Sequence, residues 1–253
     1  MWYIDWNTSF PSADCNTVDS LGAVPLITWE PWLSINNTLE AVGNGSCDAY
    51  VTKFAQDAKN WGKLVYLRFA HEMNGNWYPW DGYHNGGSAG AAKYITAWRH
   101  IHSIFDSTGA SNVRWVWSIN NTSVPGDSWN LASNYYPGDA YVDWIGMDGY
   151  NWGGGSWQSF DAVFGASYAS LSAFGKPLMI AEFACAEDGV YSKADWITDA
   201  FSKIKNNYPL IGIFNWFNIN KERDWRVDSS VSSGTAFQNA VSDPCFLDSK
   251  PSN

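Results

Sequence analysis

A chain of 253 residues suits one large domain, and we expect a single domain over 1–253. Its net charge of −10 argues against nucleic acid and against an anionic membrane surface as partners, since both need a basic face. Seventeen tryptophans are more than a core of this size needs, so most should line a surface that holds a ligand, with about a third left to packing.

In chain order, strands are expected at MWYIDW (1–6), VPLITWE (24–30), KLVYLRFAHE (63–72), NVRWVWSIN (112–120), YVDWIGMDG (141–149), KPLMIAEFA (176–184) and IGIFNWFN (211–218). Several are continuous apolar runs, as in strands buried on both faces of a parallel sheet. Helical spacing recurs over 49–61, 91–106, 193–206 and 234–242. This alternation predicts an α/β fold, a (β/α)8 TIM barrel rather than a doubly wound sheet. No Gly-rich phosphate loop follows a strand. Seven strands are visible where a barrel needs eight, so the chain reads as truncated at its N-terminus.

Barrel chemistry gathers at the C-terminal ends of the strands. Those ends supply Asp5 and Trp6, Trp29 and Glu30, His71 and Glu72, Asn120 and Asn121, Asp148 and Tyr150, Glu182, and Trp216 and Asn218. An unpaired buried carboxylate is costly, so Glu72 and Glu182 should each have partners and a role. Two carboxylates suit glycoside hydrolysis, one as proton donor and the other as nucleophile or base. Arg68, four residues before Glu72 on the same strand, would share its face and could form a structural ion pair with it. HEMNG lacks the second histidine of a zinc protease, and we expect neither metal nor cofactor. Indole faces suit pyranose rings, so Trp32, Trp77, Trp80, Trp152 and Trp216 are candidates for a sugar-binding cleft, with Trp29, Glu30, Asn74, Tyr78 and Asn120 beside them. Trp61, Trp98 and Trp196 lie on helices and should pack, and the roles of Trp115 and Trp117 stay open.

RFAHEMNGNWYPW, with TWEPW upstream and IGMDGYNW, MIAEF and KERDWRVDSS downstream, resembles glycoside hydrolase family 26 over most of the chain. The resemblance implies a (β/α)8 barrel and a retaining double displacement, with Glu72 as acid/base and Glu182 as nucleophile. It implies that Tyr150 steadies the nucleophile, that His71 and Arg68 support catalysis, and that Trp216 floors the −1 sugar. It makes MWYIDW the second strand of the family's barrel. Substrates implied are mixed-linkage β-1,3-1,4-glucan first, as in lichenases, then β-mannan and β-1,3-xylan. A glycan-binding module without catalysis is the alternative from another class, but it would not need both carboxylates.

Four cysteines form no CxxC pair, and Cys15 with Cys47 is the disulfide to test first. Sequons at Asn7, Asn36, Asn44, Asn120 and Asn121 permit secretion. No signal peptide is visible, as in a mature chain. We expect a secreted monomer acting on a polysaccharide.

Overall fold

The structure is a computed structural model that describes residues 1–33 and 37–246; the Asn36 sequon lies outside the described residues. The described residues divide into two compact units, Met1–Trp144 and those from Ile145 to 246.

In the first unit four strands run parallel: β1 (Trp2–Asp5), β2 (Leu26–Glu30), β3 (Val65–Phe69) and β4 (Val113–Asn120). Between them lie α1 (Ser12–Ser20), α2 (Thr38–Gly43) and α3 (Asp48–Trp61), then α4 (Gly90–Thr108). α3 presents Val51, Phe54, Ala55 and Ala58 to the core on one stripe. It stops at Gly62, whose φ of 75° an L side chain would resist. The second unit holds β5 (Trp144–Asn151), β6 (Leu178–Cys185) and β7 (Ile211–Trp216), again parallel, with α5 (Phe160–Ser172), α6 (Lys193–Asn207) and α7 (Val231–Val241). Ser159, Ser192 and Ser230 cap these three helices by accepting a backbone N–H, about 1 kcal/mol each.

All seven expected strands and all four expected helices are present. α1, α2 and α5 were not legible as helices. α1 buries only Cys15, α2 is six residues long, and the small residues of FGASYASLS blur the period of α5. Two strand expectations need correction. β3 ends at Phe69, before His71 and Glu72. β7 is mostly half-buried, whereas β6 is buried at every residue.

Cys15 and Cys47 are free thiols, contrary to the expected pairing. Cys15 is the buried residue of α1 rather than part of a polar loop, and burial pushes its thiol up to about 12. Trp98 and Trp196 pack as expected, and Trp115 and Trp117 are interior as well. Trp115 lies against Phe105 and His102, and Trp117 against Tyr136.

Candidate active site

The first unit carries Glu72. After Phe69 the backbone turns sharply, with Ala70 at φ 45° and Glu72 at φ 53°. For residues with a Cβ this conformation costs about 1–3 kcal/mol each, and such strain collects at functional sites. Three backbone bonds hold it: Ala70 N donates to Trp29 O (3.1 Å), Glu72 N to Ser118 O (2.9 Å) and Gly75 N to Glu72 O (2.9 Å). The turn removes the strand geometry on which a shared face for Arg68 and Glu72 was expected. Arg68 points Nε and Nη2 at Thr28 Oγ1, at 3.0 and 2.8 Å, from a fully buried position. The two residues are in register across β2 and β3, which explains these bonds.

Glu72 is 8 % exposed. Its Oε2 accepts the indole N–H of Trp77 at 2.8 Å. Gly75 makes this possible, since a Cβ there would lie 2.6 Å from the Trp77 ring. Trp77 and Trp32 keep open surface. Tyr78 stacks on Trp80 (4.4 Å, 14°) and lies 4.9 Å from His71, while Trp32 meets Trp80 edge-on at 5.0 Å. Trp32 Nε1 donates to Glu30 Oε2 at 3.2 Å. His71, Tyr78, Trp77, Trp32 and Glu30 thus share one aromatic cluster linked to Glu72.

Three residues expected to touch sugar, Trp29, Trp80 and Asn74, are placed otherwise. Trp29 is fully enclosed, stacked on Phe54 at 4.6 Å, with its N–H donated to Tyr50. Trp80 is fully enclosed and donates to His71 O at 2.8 Å, so it backs the cluster rather than lining it. Asn74 clamps the turn to the end of β4: its Nδ2 donates to Asn120 O and its Oδ1 accepts from Asn120 N, both at 2.9 Å. Asn120 spends its own amide on Thr122 O. Removing a buried amide with these bonds costs about 2 kcal/mol. Asn74→Ala is therefore expected to lower Tm by about 5 °C in a thermal melt followed by circular dichroism.

The second unit carries Glu182, 5 % exposed in β6. Opposite β5, Met147 pairs with Ile180 but Asp148 pairs with Glu182, so Ala181 is an extra residue. Against β7 the same strand again gains one residue between Ile180 and Phe183. Such a bulge re-aims the side chains that follow it. Glu182 Oε2 accepts the hydroxyl of Tyr150. Trp225 packs on Tyr150 and on Trp152, each at 5.0 Å, and its carbonyl accepts Trp216 Nε1 at 2.7 Å. Trp152 is open to solvent, and Trp216 lies against Phe183 at 4.8 Å.

Two residues here, Trp225 and Lys193, were not singled out from sequence, and Asp148 was read only as a strand-end residue. Asp148 is a fully buried acid in register with Glu182. Trp225 is the packing centre under Tyr150 and Trp152. Lys193 is almost fully buried, and its Nζ donates to Asp224 O, Arg226 O and Ser229 Oγ, tying down the loop that carries Trp225. Burial holds its ammonium below the usual lysine range, against the pull of Glu187. The run KERDWRVDSS was the available signal for that loop. Among the described residues no group of three or more His, Cys, Asp or Glu side chains could hold a metal ion, and no helix is long and apolar enough to cross a membrane.

Comparison with known proteins bears on what these groups do. The model of glycosyl hydrolase family 26 matches residues 24–241. Endoglucanase H of Acetivibrio thermocellus is 45 % identical over 94 % of this chain, which covers 27 % of that protein. Mannan endo-1,4-beta-mannosidase A and B of Caldalkalibacillus mannanilyticus is 30 % identical over 64 % of the chain, covering 29 % of that protein. The chain thus spans under a third of the length of either relative. Among solved structures, the catalytic domain of a family 26 endo-beta-1,4-mannanase of Bacillus sp. JAMB-750 aligns over 93 % of this chain and 70 % of its own, with TM-score 0.70 and 19 % identity. That likeness shows the fold, the α/β barrel class expected from the strand–helix alternation. With the family matched over most of its length, this chain belongs to glycosyl hydrolase family 26.

Proposed function

We propose that the chain is the catalytic part of a retaining, endo-acting β-glycanase, with Glu72 as acid/base and Glu182 as nucleophile. The observation that carries the reading is that each carboxylate is buried and accepts a hydrogen bond from an aromatic donor, Trp77 to Glu72 and Tyr150 to Glu182, in a chain of this family. In the first step a Glu182 oxygen bonds to the anomeric carbon. The glycosidic C–O bond breaks, and Glu72 gives its proton to the departing oxygen. In the second step water attacks the same carbon, Glu72 takes the proton of that water, and Glu182 leaves as carboxylate. Tyr150 orients the Glu182 carboxylate through its hydroxyl. Trp32, Trp77, Trp152 and Trp216 are proposed to hold sugar rings, with His71 and Arg68 keeping the Glu72 turn in place.

We infer mixed-linkage β-1,3-1,4-glucan as the substrate. Support comes from the higher identity to the relative named an endoglucanase, over nearly the whole chain. β-Mannan is the second reading, favoured by the relative and the solved structure named as mannanases. A polymer of this kind is met outside the cell, and we place the enzyme there. Product analysis on barley β-glucan, glucomannan and β-1,3-xylan in parallel tests the assignment. Fastest release of short oligosaccharides from barley glucan, with the anomeric configuration retained, is expected. Faster release from glucomannan would move the substrate to mannan, and an inverted product would overturn the mechanism.

Tyr150→Phe removes the hydroxyl and keeps the ring. A hydrogen bond to a charged group contributes about 1.5–3 kcal/mol. We therefore expect kcat/KM on the preferred polymer to fall about 10- to 100-fold, measured by reducing-sugar release.

A further inference from the structure

Beyond the Glu182 group, the loops that follow β5 and β6 bring a second pair of rings together. Trp157 and Tyr191 stack with centroids 5.0 Å apart and planes 20° from parallel. Tyr191 is 51 % exposed, so one face of the pair is open to solvent. In the same unit Trp196 Nε1 donates to Gln158 O and the Tyr208 hydroxyl to Asp161, so those polar tips are used internally. Among the described residues, the indole N–H of Trp157 and the hydroxyl of Tyr191 have no such partner. An aromatic face beside unused polar tips is what a pyranose ring needs, an apolar surface for its C–H face and hydrogen-bonding groups for its hydroxyls.

The pair is held in place before any ligand arrives. Asp188 Oδ1 accepts the backbone N–H of Val190 at 2.7 Å and of Tyr191 at 3.1 Å, and its Oδ2 accepts the N–H of Gly154 on the other loop. Buried Asn151 Oδ1 accepts from Gly153 at 3.3 Å and Gln158 at 3.0 Å, which brackets the loop carrying Trp157. One carboxylate and one amide thus fix both ring-bearing loops, and a site ordered in advance loses less entropy on binding. These loops continue from the strands that carry Tyr150 and Glu182, and Trp152, 6.2 Å from Tyr150, begins the first of them.

We propose that Trp157 and Tyr191 form a further sugar-binding subsite, which takes a pyranose ring of the same β-glycan chain away from the cleaved bond. The proposal rests on the reading of the chain as a β-glycanase. Native gels cast with barley β-glucan or with glucomannan test it, read as loss of mobility. Tyr191→Ala and Trp157→Ala should each weaken retardation, raising the apparent Kd about 5- to 10-fold, and should raise KM on the same polymer to a similar extent. Trp157→Phe, which keeps a stacking ring, should retain most of the retardation and guards against a folding defect. Unchanged retardation in both alanine variants overturns the subsite, as does a parent chain retarded by neither polymer. If the parent chain is retarded and the alanine variants are not, but nothing is hydrolysed, the subsite stands and the catalytic reading falls.

Discussion

Glu182→Ala is expected to lower kcat on barley β-glucan by about 10⁴-fold or more, the scale on which loss of a covalent nucleophile acts in other hydrolases. The side chain is buried, re-aimed by the extra residue at Ala181, and held by Tyr150. The chemistry also predicts which small nucleophile rescues the variant. Azide can occupy the space left by the carboxylate and attack an activated aryl β-glycoside from that side. One displacement then replaces two, so the product should be the α-glycosyl azide. Turnover of Glu182→Ala within tenfold of the parent chain, measured by reducing-sugar release, would remove Glu182 from the role.

Glu72→Ala should behave differently, and the difference separates the two roles. General acid–base assistance contributes about 10²–10⁴-fold, so hydrolysis of the polymer should fall by that much. A substrate with a good aryl leaving group needs little protonation, so its first step should survive. The second step still lacks a base, and the glycosyl-enzyme should accumulate, seen as a burst of released phenol before slow turnover. Azide should now give the β-glycosyl azide, because it attacks the covalent intermediate from the side where water would have come. If the burst is absent and the aryl substrate slows as much as the polymer, Glu72 is not the proton donor. Alanine keeps the left-handed backbone at this position as strained as glutamate does, so the φ of 53° does not confound the comparison.

How much of the site was legible differs residue by residue. Glu72 and Glu182 stood out because a carboxylate closing an apolar run contradicts burial unless it has partners, and each has one. Trp29, Trp80 and Asn74 were misplaced for a common reason: their chemistry suits a sugar cleft and a packed interior equally well. Trp29 became a core residue through Phe54, on a helix 25 positions away, and Asn74 became a clamp through Asn120, 46 residues on. Neither contact has a local signature. The aromatic pair Trp157 and Tyr191 was passed over because each lies alone in its loop, and the Asp188 bond that joins the loops spans 34 residues.

The order of the seven strands, four of the helices, the net negative charge and the presence of two unexplained carboxylates were determined by the sequence alone. Apolar periodicity and charge are local properties, and burial follows from them wherever the chain folds. The end of β3 at Phe69, the bulge at Ala181, the free thiol of Cys15 and the sorting of tryptophans between interior and surface were decided by the tertiary structure. Each depends on which distant backbone or ring comes into contact, and a side chain of fixed chemistry gains its role from that neighbour.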